Sequence, residues 1–385
     1  MDTTPTSLEQ KIARIMRSDA GRPTSVLGGL LYLVSLLYGF VIRLRAAGYH
    51  MGLLKTRKLP CRVISVGNIT VGGTGKTPLT LYVAELIHRL GYRPVIISRG
   101  YKGAAEKSGG IVSEGRKVLM TAETAGDEPY MMALRLKSIQ VPVIVGKDRY
   151  SAGRLALNRF DPEVIVLDDA FQHAKLARDI DLVLLDYNKP LGNGHLLPRG
   201  VLREPAAVLS RADAVIVTRT DHIGGPPGTA AVPAQVQPVV QNKPVFRTAH
   251  VPYVSSIVKN SPGEDTDGAS QTDANYLHGR NVFAFSGIAR NEDFEQTLGQ
   301  LGCAVVGFMG FSDHHRYMDE DIRLIMNAAA DTGAVCLLTT EKDYVRIVNR
   351  LPLPLPLVVI GIRLQFLGDT TAFDGYIADR LAHCA

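Results

Sequence analysis

The stretch RVISVGNITVGGTGKTPLTLYVAELIHRLG, residues 62–91, decides the fold of this chain. It opens with a β-branched apolar run, continues through a glycine-rich loop and ends in a segment where Leu79, Val83, Leu86 and Leu90 recur at helical spacing. A loop that wraps phosphate turns its N–H groups inward, which needs the backbone freedom of glycine, and the following helix N-terminus adds positive dipole charge. The pattern therefore predicts a strand, a phosphate-binding loop and a helix.

The loop also predicts which residues hold a nucleotide. Lys76 is expected to reach the β- and γ-phosphates of ATP, and Thr77 is expected to bind Mg²⁺. The common pattern has a glycine at the place of Thr70, so Gly72 and Gly73 must supply the flexibility here. The alternative is a glycine turn unrelated to phosphate. The predicted ATP-binding residues are Thr70, Val71, Gly72, Gly73, Thr74, Gly75, Lys76 and Thr77.

Two adjacent carboxylates follow another apolar run, in EVIVLDDAFQH (163–173). Asp168 and Asp169 leave the carboxyl end of this predicted strand. In a P-loop fold that end meets the phosphates, and an aspartate there holds the metal or its water. The alternative is a helix N-cap, but a cap does not need two aspartates followed by Gln172 and His173. We therefore predict that Asp168 and Asp169 are metal ligands.

The composition of the chain limits its class. A chain of 385 residues has room for two domains with a buried core. The hydrophobic fraction of 46% and the charged fraction of 21% are those of a globular protein. The net charge of +6 is mild and the basic residues do not cluster with aromatic ones, so no nucleic-acid partner is predicted. The cysteines lack metal or redox spacing, which favours a reducing compartment: Cys61, Cys303, Cys336 and Cys384.

Short apolar runs alternate with helical segments after residue 58, which predicts an α/β fold with a doubly wound parallel sheet of the P-loop NTPase type. A polar stretch at 255–276 indicates a linker, and the runs after it predict a second, smaller α/β domain. The first group of runs is 62–66, 94–98, 142–146, 163–167, 181–186 and 213–218, and the second is 281–286, 303–308, 334–339 and 356–362. The predicted domains are 1–58, 59–254, a linker at 255–280, and 281–385.

The segment from Pro23 to Ile42 carries no charge and has about the length that spans a bilayer core. Basic residues flank it on both sides, at 11–22 and 43–58, so they give no orientation for a spanning helix. One helical stripe carries Gly28, Tyr32, Ser35 and Gly39, and another carries Leu27, Leu30, Val34, Leu37 and Val41. We predict a membrane-associated helix; one lying in the inner surface of the membrane fits, and whether it spans the bilayer stays open. The alternative is a buried hairpin packed on the core.

Three further motifs are less specific. AGDEPYMM (125–132) places Asp127 and Glu128 just before a predicted helix, where a capping role is equally open. FSDHHRY (311–317) places an aspartate beside His314, which is a usual way to orient an imidazole. PLGNGHLLPRGVLREP (190–205) is either a plain surface loop or an anion-binding one.

Taken together, these motifs resemble the tetraacyldisaccharide 4′-kinase family of lipid A biosynthesis. The resemblance covers roughly 300 residues and rests on VGNITVGGTGKTP, ISRGYKG, GDEP, LDDAFQH, GNGHLLPRGVLREP, FSGIA, FSDHHRY and TTEKD. It implies a membrane-associated P-loop kinase that uses Mg-ATP to phosphorylate a lipid A precursor, with the active site between a P-loop domain and a smaller α/β domain. The implied product is lipid IVA, made by phosphorylating the 4′-hydroxyl of a tetraacyldisaccharide 1-phosphate.

The resemblance also implies roles for individual residues. Asp127 and His314 are the expected catalytic pair, with Asp127 accepting the hydroxyl proton, and Lys76 neutralises the triphosphate. Because this pair falls on two predicted domains, we expect domain closure to bring it together. Glu128 joins Thr77, Asp168 and Asp169 as an expected metal ligand. The expected substrate contacts are Arg99, Tyr101, Arg149, Gln172, His173, Asn193 and Arg203.

Two positions depart from the usual motifs of the family. Ala170 stands where the family more often has glycine, so the backbone there must avoid positive φ. Arg199 stands where alanine is more usual, in Leu-Pro-Arg-Gly.

Adenine recognition stays open between TRTD (218–221) and TTEKD (339–343), because both follow apolar strands.

The implied partners are a lipid A disaccharide precursor and the lipids of the inner membrane, on its cytoplasmic face. No protein partner is predicted. Two other functions are possible for such a loop: a P-loop switch or assembly ATPase, and a nucleotide-gated binding module without chemistry. The signature-lysine ATPases carry a second lysine where Val71 stands here, which argues against that group.

Overall fold

A computed structural model of the chain describes residues 8–18, 25–220, 232–258, 274–288, 291–351 and 353–383. The chain divides into two compact units. Unit 1 consists of Met1–Ile97, Arg149–Ala249 and Phe366–Ala385, and unit 2 consists of Ser98–Asp148 and His250–Gln365.

The elements are numbered in chain order. The α-helices are α1 Leu8–Arg17, α2 Val26–His50, α3 Lys76–Arg89, α4 Ala122–Ala125, α5 Asp127–Arg135, α6 Arg149–Phe160, α7 Gln237–Val240, α8 Asn291–Gly299, α9 Asp319–Asp331, α10 Glu341–Ile347 and α11 Thr370–His383. The strands are β1 Arg62–Asn68, β2 Pro94–Ser98, β3 Gly110–Ser113, β4 Val143–Val145, β5 Val164–Asp168, β6 Ile180–Asp186, β7 Ala214–Thr218, β8 Val245–Val258, β9 Asn281–Ser286, β10 Ala304–Gly310, β11 Cys336–Thr340 and β12 Leu357–Phe366. Short 3₁₀ helices cover Ala104–Glu106, Ala206–Arg211, Ala274–Leu277 and Val348–Arg350.

Unit 1 is built on a parallel sheet whose neighbouring strands are β8, β7, β6, β1, β5 and β2. Strand β1 lies in the middle, with Val66 in register with Asp168 of β5. Strands β2, β5, β6 and β7 are buried along their whole length, as expected for continuous apolar runs covered on both faces. Parallel strands end at the same edge of the sheet, so the loops that follow β1, β5, β6 and β7 gather there. The predicted doubly wound P-loop fold is confirmed.

Helix α3 packs on this sheet through the apolar residues that the sequence pattern marked. Leu79, Val83 and Leu86 are buried, whereas Leu90, one residue past the helix end, is exposed. Gly67 near the end of β1 allows a close approach, because a Cβ there would lie 2.6 Å from Cβ of Phe171. The phosphate loop and the loop after β5 can therefore lie side by side.

Unit 2 contains the parallel strands β10, β9, β11 and β12 in that order, with β8 next to β12. Strands β3 and β4 pair antiparallel in the same unit. Aromatic residues fill one side of its core, where Phe285 and Tyr317 meet edge to face at 5.7 Å. The second α/β unit expected from the sequence is present.

Two strands and the unit boundaries differ from what the sequence pattern indicated. Strand β3 is only four residues long, and β8 contains Pro252, a residue that weakens the pattern of a strand. β8 runs to Val258, four residues into the segment read as a linker from 255, and residues 259–273 of that segment lie outside the described residues. The predicted domains were contiguous, whereas each compact unit combines separate stretches of chain. The predicted boundaries stay predictions.

Helix α2 has two distinct faces. Its small-residue stripe is turned inward, where Gly28, Ser35 and Gly39 are buried. Its apolar stripe is exposed at Leu30, Leu33, Val34, Leu36, Leu37, Phe40, Val41 and Leu44. Among the described residues α2 is the one helix long and apolar enough to cross a membrane, judged by length and composition only. The start of the uncharged run, residues 23 and 24, lies outside the described residues.

Candidate functional site

The phosphate loop joins β1 to α3 in unit 1. Gly72 and Gly75 have positive φ angles of 117° and 88°, a conformation that glycine adopts without strain. Gly75 is the N-cap of α3, and no side chain caps this helix end. The first N–H groups of α3 therefore remain available to an anion, which is how helix N-termini bind phosphate.

Neighbouring residues fix the shape of this loop. The N–H group of Val71 donates to the carbonyl of Val201 at 2.8 Å. Nδ2 of Asn68 donates to Oγ1 of Thr74 at 2.8 Å, and both residues are buried. The loop is thus held from the strand before it and from the 190–205 segment beside it.

Asp168 and Asp169 follow β5 and have different surroundings. Asp168 is buried and accepts a hydrogen bond from Oγ1 of Thr80, on the first turns of α3, at 3.2 Å. Its backbone carbonyl accepts from Nη2 of Arg149 at 3.2 Å. Asp169 accepts two hydrogen bonds of 2.8 Å from Nη1 of Arg203, and Nζ of Lys76 lies 3.8 Å away. The predicted carboxylate pair therefore stands beside the phosphate loop.

The electrostatics of Asp169 follow from these cations. Burial by itself raises the pKa of the Asp169 carboxyl, but the charges of Lys76 and Arg203 outweigh it, so its pKa lies below the ordinary value. The residue has a φ of 47°, whereas Ala170 is outside the left-handed region, as its side chain requires. The positive φ falls one residue before the place where the family more often has glycine.

Oxygen ligands for Mg²⁺ are present at the start of α3. Thr77 is nearly buried in its first turn, and the Asp168 carboxylate lies beside the same helix. Mg²⁺ bound to a nucleotide takes most of its ligands from phosphates and waters, so one hydroxyl and one carboxylate fit such a site. No cluster of three or more His, Cys, Asp or Glu side chains suited to a metal occurs among the described residues. Glu128, the fourth expected ligand, lies in unit 2 and forms an ion pair with Lys342.

Asp127 and His314 meet in unit 2. Nδ1 of His314 lies 3.0 Å from Oδ2 of Asp127, and both side chains are about one-fifth exposed. Asp127 is the first residue of α5, but the N-cap position belongs to Gly126 and no side-chain capping bond is present there. The capping alternative for Asp127 is therefore not realised. Because both residues belong to one compact unit, domain closure is not needed to bring them together.

A third residue, Arg346 of α10, shares this carboxylate. Its Nε and Nη2 lie 2.9 Å and 2.8 Å from Oδ2 of Asp127. Burial raises the pKa of the Asp127 carboxyl, but the hydrogen bond from His314 and the charge of Arg346 outweigh it, so the net direction is downward. Nδ1 of His314 also lies 3.2 Å from Nη2 of Arg346, so a proton on Nδ1 serves the contact with Oδ2 of Asp127 and not the one with the arginine, which can only donate.

The expected substrate residues divide into exposed and engaged side chains. Tyr101 is exposed, and its ring lies edge-on to the His314 ring at 5.9 Å. Arg99 pairs with Glu106 at 2.7 Å. Arg149 is buried, and its Nη2 donates to the backbone carbonyl of Asp168 at 3.2 Å.

The remaining expected contacts, from unit 1, are held mainly through backbone groups. Nε2 of Gln172 donates to the carbonyl of Asn68 at 2.7 Å. His173 is partly buried, and its carbonyl accepts from Nη1 of Arg178 at 2.8 Å. Nδ2 of Asn193 donates to the carbonyl of Arg199 at 3.2 Å. These side chains shape the loops around the phosphate site.

The comparisons with known proteins agree with this geometry. A profile of the tetraacyldisaccharide-1-P 4′-kinase family, LpxK, matches residues 27–382. The chain belongs to this family. It is 42% identical over 377 residues to the tetraacyldisaccharide 4′-kinase of Desulfatibacillum aliphaticivorans, covering 97% of this chain and 98% of that protein. The corresponding enzyme of Syntrophus aciditrophicus strain SB is 41% identical over 343 residues, covering 87% of this chain and 88% of that protein.

A solved structure of the family shares the fold. LpxK from Aquifex aeolicus, crystallised in complex with ATP, is 34% identical with a TM-score of 0.71. The match covers 92% of this chain and 100% of that chain. Arg199, which stands where the family more often has alanine, has a structural explanation. It is buried, and its Nη1 donates to the carbonyl of Ile15 in the last turn of α1 at 3.0 Å.

Sequence reasoning missed several residues that this site uses. Asn68 is the last residue of β1, directly before the loop. A polar residue at the end of an apolar strand is a signal that could have pointed to it. Arg219 follows β7, has a φ of 60°, and pairs with Asp186 at 2.7 Å while its Nη2 lies 3.4 Å from the carbonyl of Gly73. Arg346 lies four residues after TTEK, where one more arginine on a helix gives no signal of its own.

Proposed function

We propose that this chain is an ATP-dependent kinase that transfers the γ-phosphate of ATP to the 4′-hydroxyl of a tetraacyldisaccharide 1-phosphate, giving lipid IVA. The observation that carries the proposal is the N-terminus of α3, which follows a glycine loop and has no side-chain cap. The same chain also contains the Asp127–His314 contact. Membership of the 4′-kinase family over residues 27–382 supports the same reaction and the same substrate class.

The phosphate loop is proposed to bind the triphosphate. Residues 70–77 present backbone N–H groups and the dipole of α3, and Lys76 supplies a mobile positive charge. Lys76 is 3.8 Å from Asp169, a distance short enough for ion pairing but too long for a strong hydrogen bond. A bound γ-phosphate would compete with Asp169 for this ammonium group, and Arg203 would continue to hold Asp169.

Mg²⁺ is the proposed cofactor beside ATP. Thr77 and Asp168 are the residues that would hold it. Asp169 and Glu128 remain proposed ligands, although Lys76 lies beside Asp169 and Lys342 lies beside Glu128. When bound, the ion neutralises charge on the phosphates. The chain's own contribution is to orient the phosphates and to keep water from the transferred group.

The acceptor hydroxyl is proposed to lose its proton to Asp127. Oδ2 of this carboxylate is occupied by His314 and Arg346, whereas Oδ1 has no hydrogen bond among the described residues. A carboxylate with a low pKa is still an adequate acceptor here, because phosphoryl transfer through a loose transition state needs little proton removal before the phosphorus–oxygen bond breaks. Tyr101, exposed beside the His314 ring, is a proposed contact for the sugar.

The lipid portion of the substrate is proposed to stay in the membrane beside α2. The exposed apolar stripe of this helix and the basic residues that follow it suit a membrane surface with anionic headgroups. We therefore propose association with the cytoplasmic face of the inner membrane. The remaining proposed substrate contacts are Arg99, Arg149, Gln172, His173, Asn193 and Arg203.

The decisive experiment incubates the purified chain with γ-labelled ATP, Mg²⁺ and a tetraacyldisaccharide 1-phosphate in mixed micelles. We expect label in the lipid product, and its loss in Asp127→Asn at unchanged ATP affinity. Release of labelled free phosphate at the same rate with and without lipid would overturn the kinase assignment in favour of an ATPase. Nucleotide binding without either product would favour a binding module.

A further inference from the structure

The guanidinium of Arg346 is almost entirely enclosed, with its side chain only 7% exposed. Its Nε and Nη2 contact Oδ2 of Asp127, and Nη2 also lies 3.2 Å from Nδ1 of His314. On the other side, Nη1 donates to the carbonyl of Gly287 at 2.9 Å and to Oδ1 of Asp343 at 3.0 Å. The fork of five N–H donors is thus directed at two carboxylates and one carbonyl.

Asp343 anchors this arginine from behind. It is completely buried, and its Oδ1 accepts from the Gly287 N–H at 3.0 Å and from the Tyr317 hydroxyl at 3.0 Å as well as from Arg346. Burial raises the pKa of the Tyr317 phenol, so its proton stays in place as a donor. Oδ2 of Asp343 accepts from the hydroxyl of Thr340 at 2.7 Å. The arginine is therefore held by a saturated network that does not itself face the reacting groups.

The same network fixes the backbone that carries His314. The N–H of His314 donates to the carbonyl of Gly287 at 3.1 Å, the oxygen that Arg346 also contacts. His314 has a φ of 61°, an uncommon conformation for a residue with a side chain, which persists only where the surroundings enforce it. A Cβ at Gly287 would lie 3.1 Å from Cβ of His315 and 3.2 Å from Oδ1 of Asp343, so this junction is closely packed.

Three elements besides its own helix bring charged groups around Asp127. Helix α4 contributes Glu123, which interacts with Asp127 electrostatically, and the loop after β10 contributes His314 and Asp313. Helix α10 contributes Arg346, Asp343 and Lys342, and Lys342 forms an ion pair with Glu128. Among the lysine and arginine side chains of the described residues, that of Arg346 contacts the Asp127 carboxylate.

We propose that Arg346 is a positioning residue for the kinase reaction, which holds Oδ2 of Asp127 so that Oδ1 faces the acceptor hydroxyl. The inference rests on the proposed role of the Asp127–His314 pair and goes beyond it, because Arg346 touches neither substrate nor nucleotide in this account. Its contribution lies in its shape, since the planar fork contacts Asp127 on one side and Gly287 and Asp343 on the other.

Lysine and glutamine both remove the planar fork. Lysine keeps the charge but offers one flexible donor group, so it cannot contact Asp127, Gly287 and Asp343 together. Glutamine keeps some hydrogen bonding but lacks both the fork and the charge. Both variants should therefore leave the Asp127 carboxylate without the contacts that hold its direction.

The test measures kcat and KM for lipid phosphorylation, the affinity for ATP and thermal unfolding in wild type, Arg346→Gln, Arg346→Lys and a control, Arg350→Gln. Arg350 pairs with the exposed Asp319 and not with Asp127 or His314, so its variant should match wild type. We expect Arg346→Gln and Arg346→Lys to lower kcat by about 10–100-fold, the range for losing an outer partner of a functional group. KM for the lipid and the affinity for ATP should stay near those of wild type, because Arg346 touches neither ligand.

The outcomes distinguish failure of this inference from failure of the proposed function. If Asp127→Asn and His314→Ala phosphorylate the lipid normally, the proposed pair is wrong whatever Arg346 does. If that pair is essential, Arg346→Gln is combined with Asp127→Asn. We expect the double variant to lose little more kcat than Asp127→Asn alone, because Arg346 acts through that carboxylate. Multiplicative losses in the folded double variant, or an unchanged kcat in folded Arg346→Gln, overturn the inference and leave Arg346 only structural.

Discussion

Nδ1 of His314 lies 3.0 Å from Oδ2 of Asp127, although the two residues are 187 positions apart in the sequence. Both belong to the same compact unit, and Arg346 contacts both. An Asp–His contact with a buried arginine at its back is a preformed arrangement, so its parts should behave as a unit in kinetic experiments.

Asp127 and His314 should therefore give non-additive losses. We expect Asp127→Ala and His314→Ala each to lower kcat by about 10²–10⁴-fold, the usual range for a general base. The double variant should lose much less than the product of the two, because the second change removes a group that has lost its partner. A double-mutant cycle on kcat measures this, and strictly multiplicative losses would show that the two residues act independently.

Lys76→Ala should remove a charge that counts mainly in the transition state. We expect kcat to fall by at least about 100-fold, the scale for one lost electrostatic donor. The fold should persist, since Lys76 lies outside the core and Asp169 keeps its two contacts with Arg203. Thermal unfolding and lipid phosphorylation are compared with Lys107→Ala, an exposed lysine outside the site. Near-normal turnover in folded Lys76→Ala would contradict the P-loop kinase assignment.

Helix α2 should affect the phosphate site as well as membrane retention. The Tyr38 hydroxyl donates to the carbonyl of Arg203 at 2.9 Å, and Nη2 of Arg45 donates to the carbonyl of Gln172 at 3.1 Å. Tyr38→Phe removes one such bond, worth about 1 kcal/mol, and so loosens the residue that holds Asp169. We expect kcat to fall by a few-fold, up to about tenfold, with membrane retention unchanged. Unaltered kinetics with an unaltered unfolding temperature would show that α2 does not support this site.

Changes on the exposed apolar face of α2 should weaken membrane retention and leave kcat intact. Leu33 and Leu37 are 63% and 64% exposed, and replacing both by serine removes apolar area from the proposed membrane surface. We expect more protein in the soluble fraction, and intact kcat on detergent-dispersed substrate. High salt should release part of the wild-type protein if headgroup attraction contributes, because salt screens it. Full-length protein that stays soluble at low salt would contradict membrane association, and retention through carbonate washing would favour a spanning helix.

The fold was largely readable from local patterns. Apolar runs such as PVIIS and NVFAFS coincide with strands β2 and β9, because buried parallel strands need continuous apolar side chains. The glycine loop and Asp168 were readable for a related reason: phosphate binding at a strand end constrains residue types at fixed spacing. Strand β8 was missed because Pro252 and alternating polar residues weaken its pattern, and pairing with β12 on one side and β7 on the other overrides that local signal.

The phosphate loop, the positions of most strands along the chain and the resemblance to a kinase family could be read from the sequence alone, because all three depend on neighbours in the chain. The folded structure was needed to show that Asp127 meets His314 within one unit, that Arg346 and Asp343 stand behind them, and that Tyr38 on α2 contacts the Arg203 loop. Contacts between residues far apart in sequence depend on how whole elements pack. A single arginine or tyrosine on a helix carries no local trace of the carboxylate or carbonyl that it will meet.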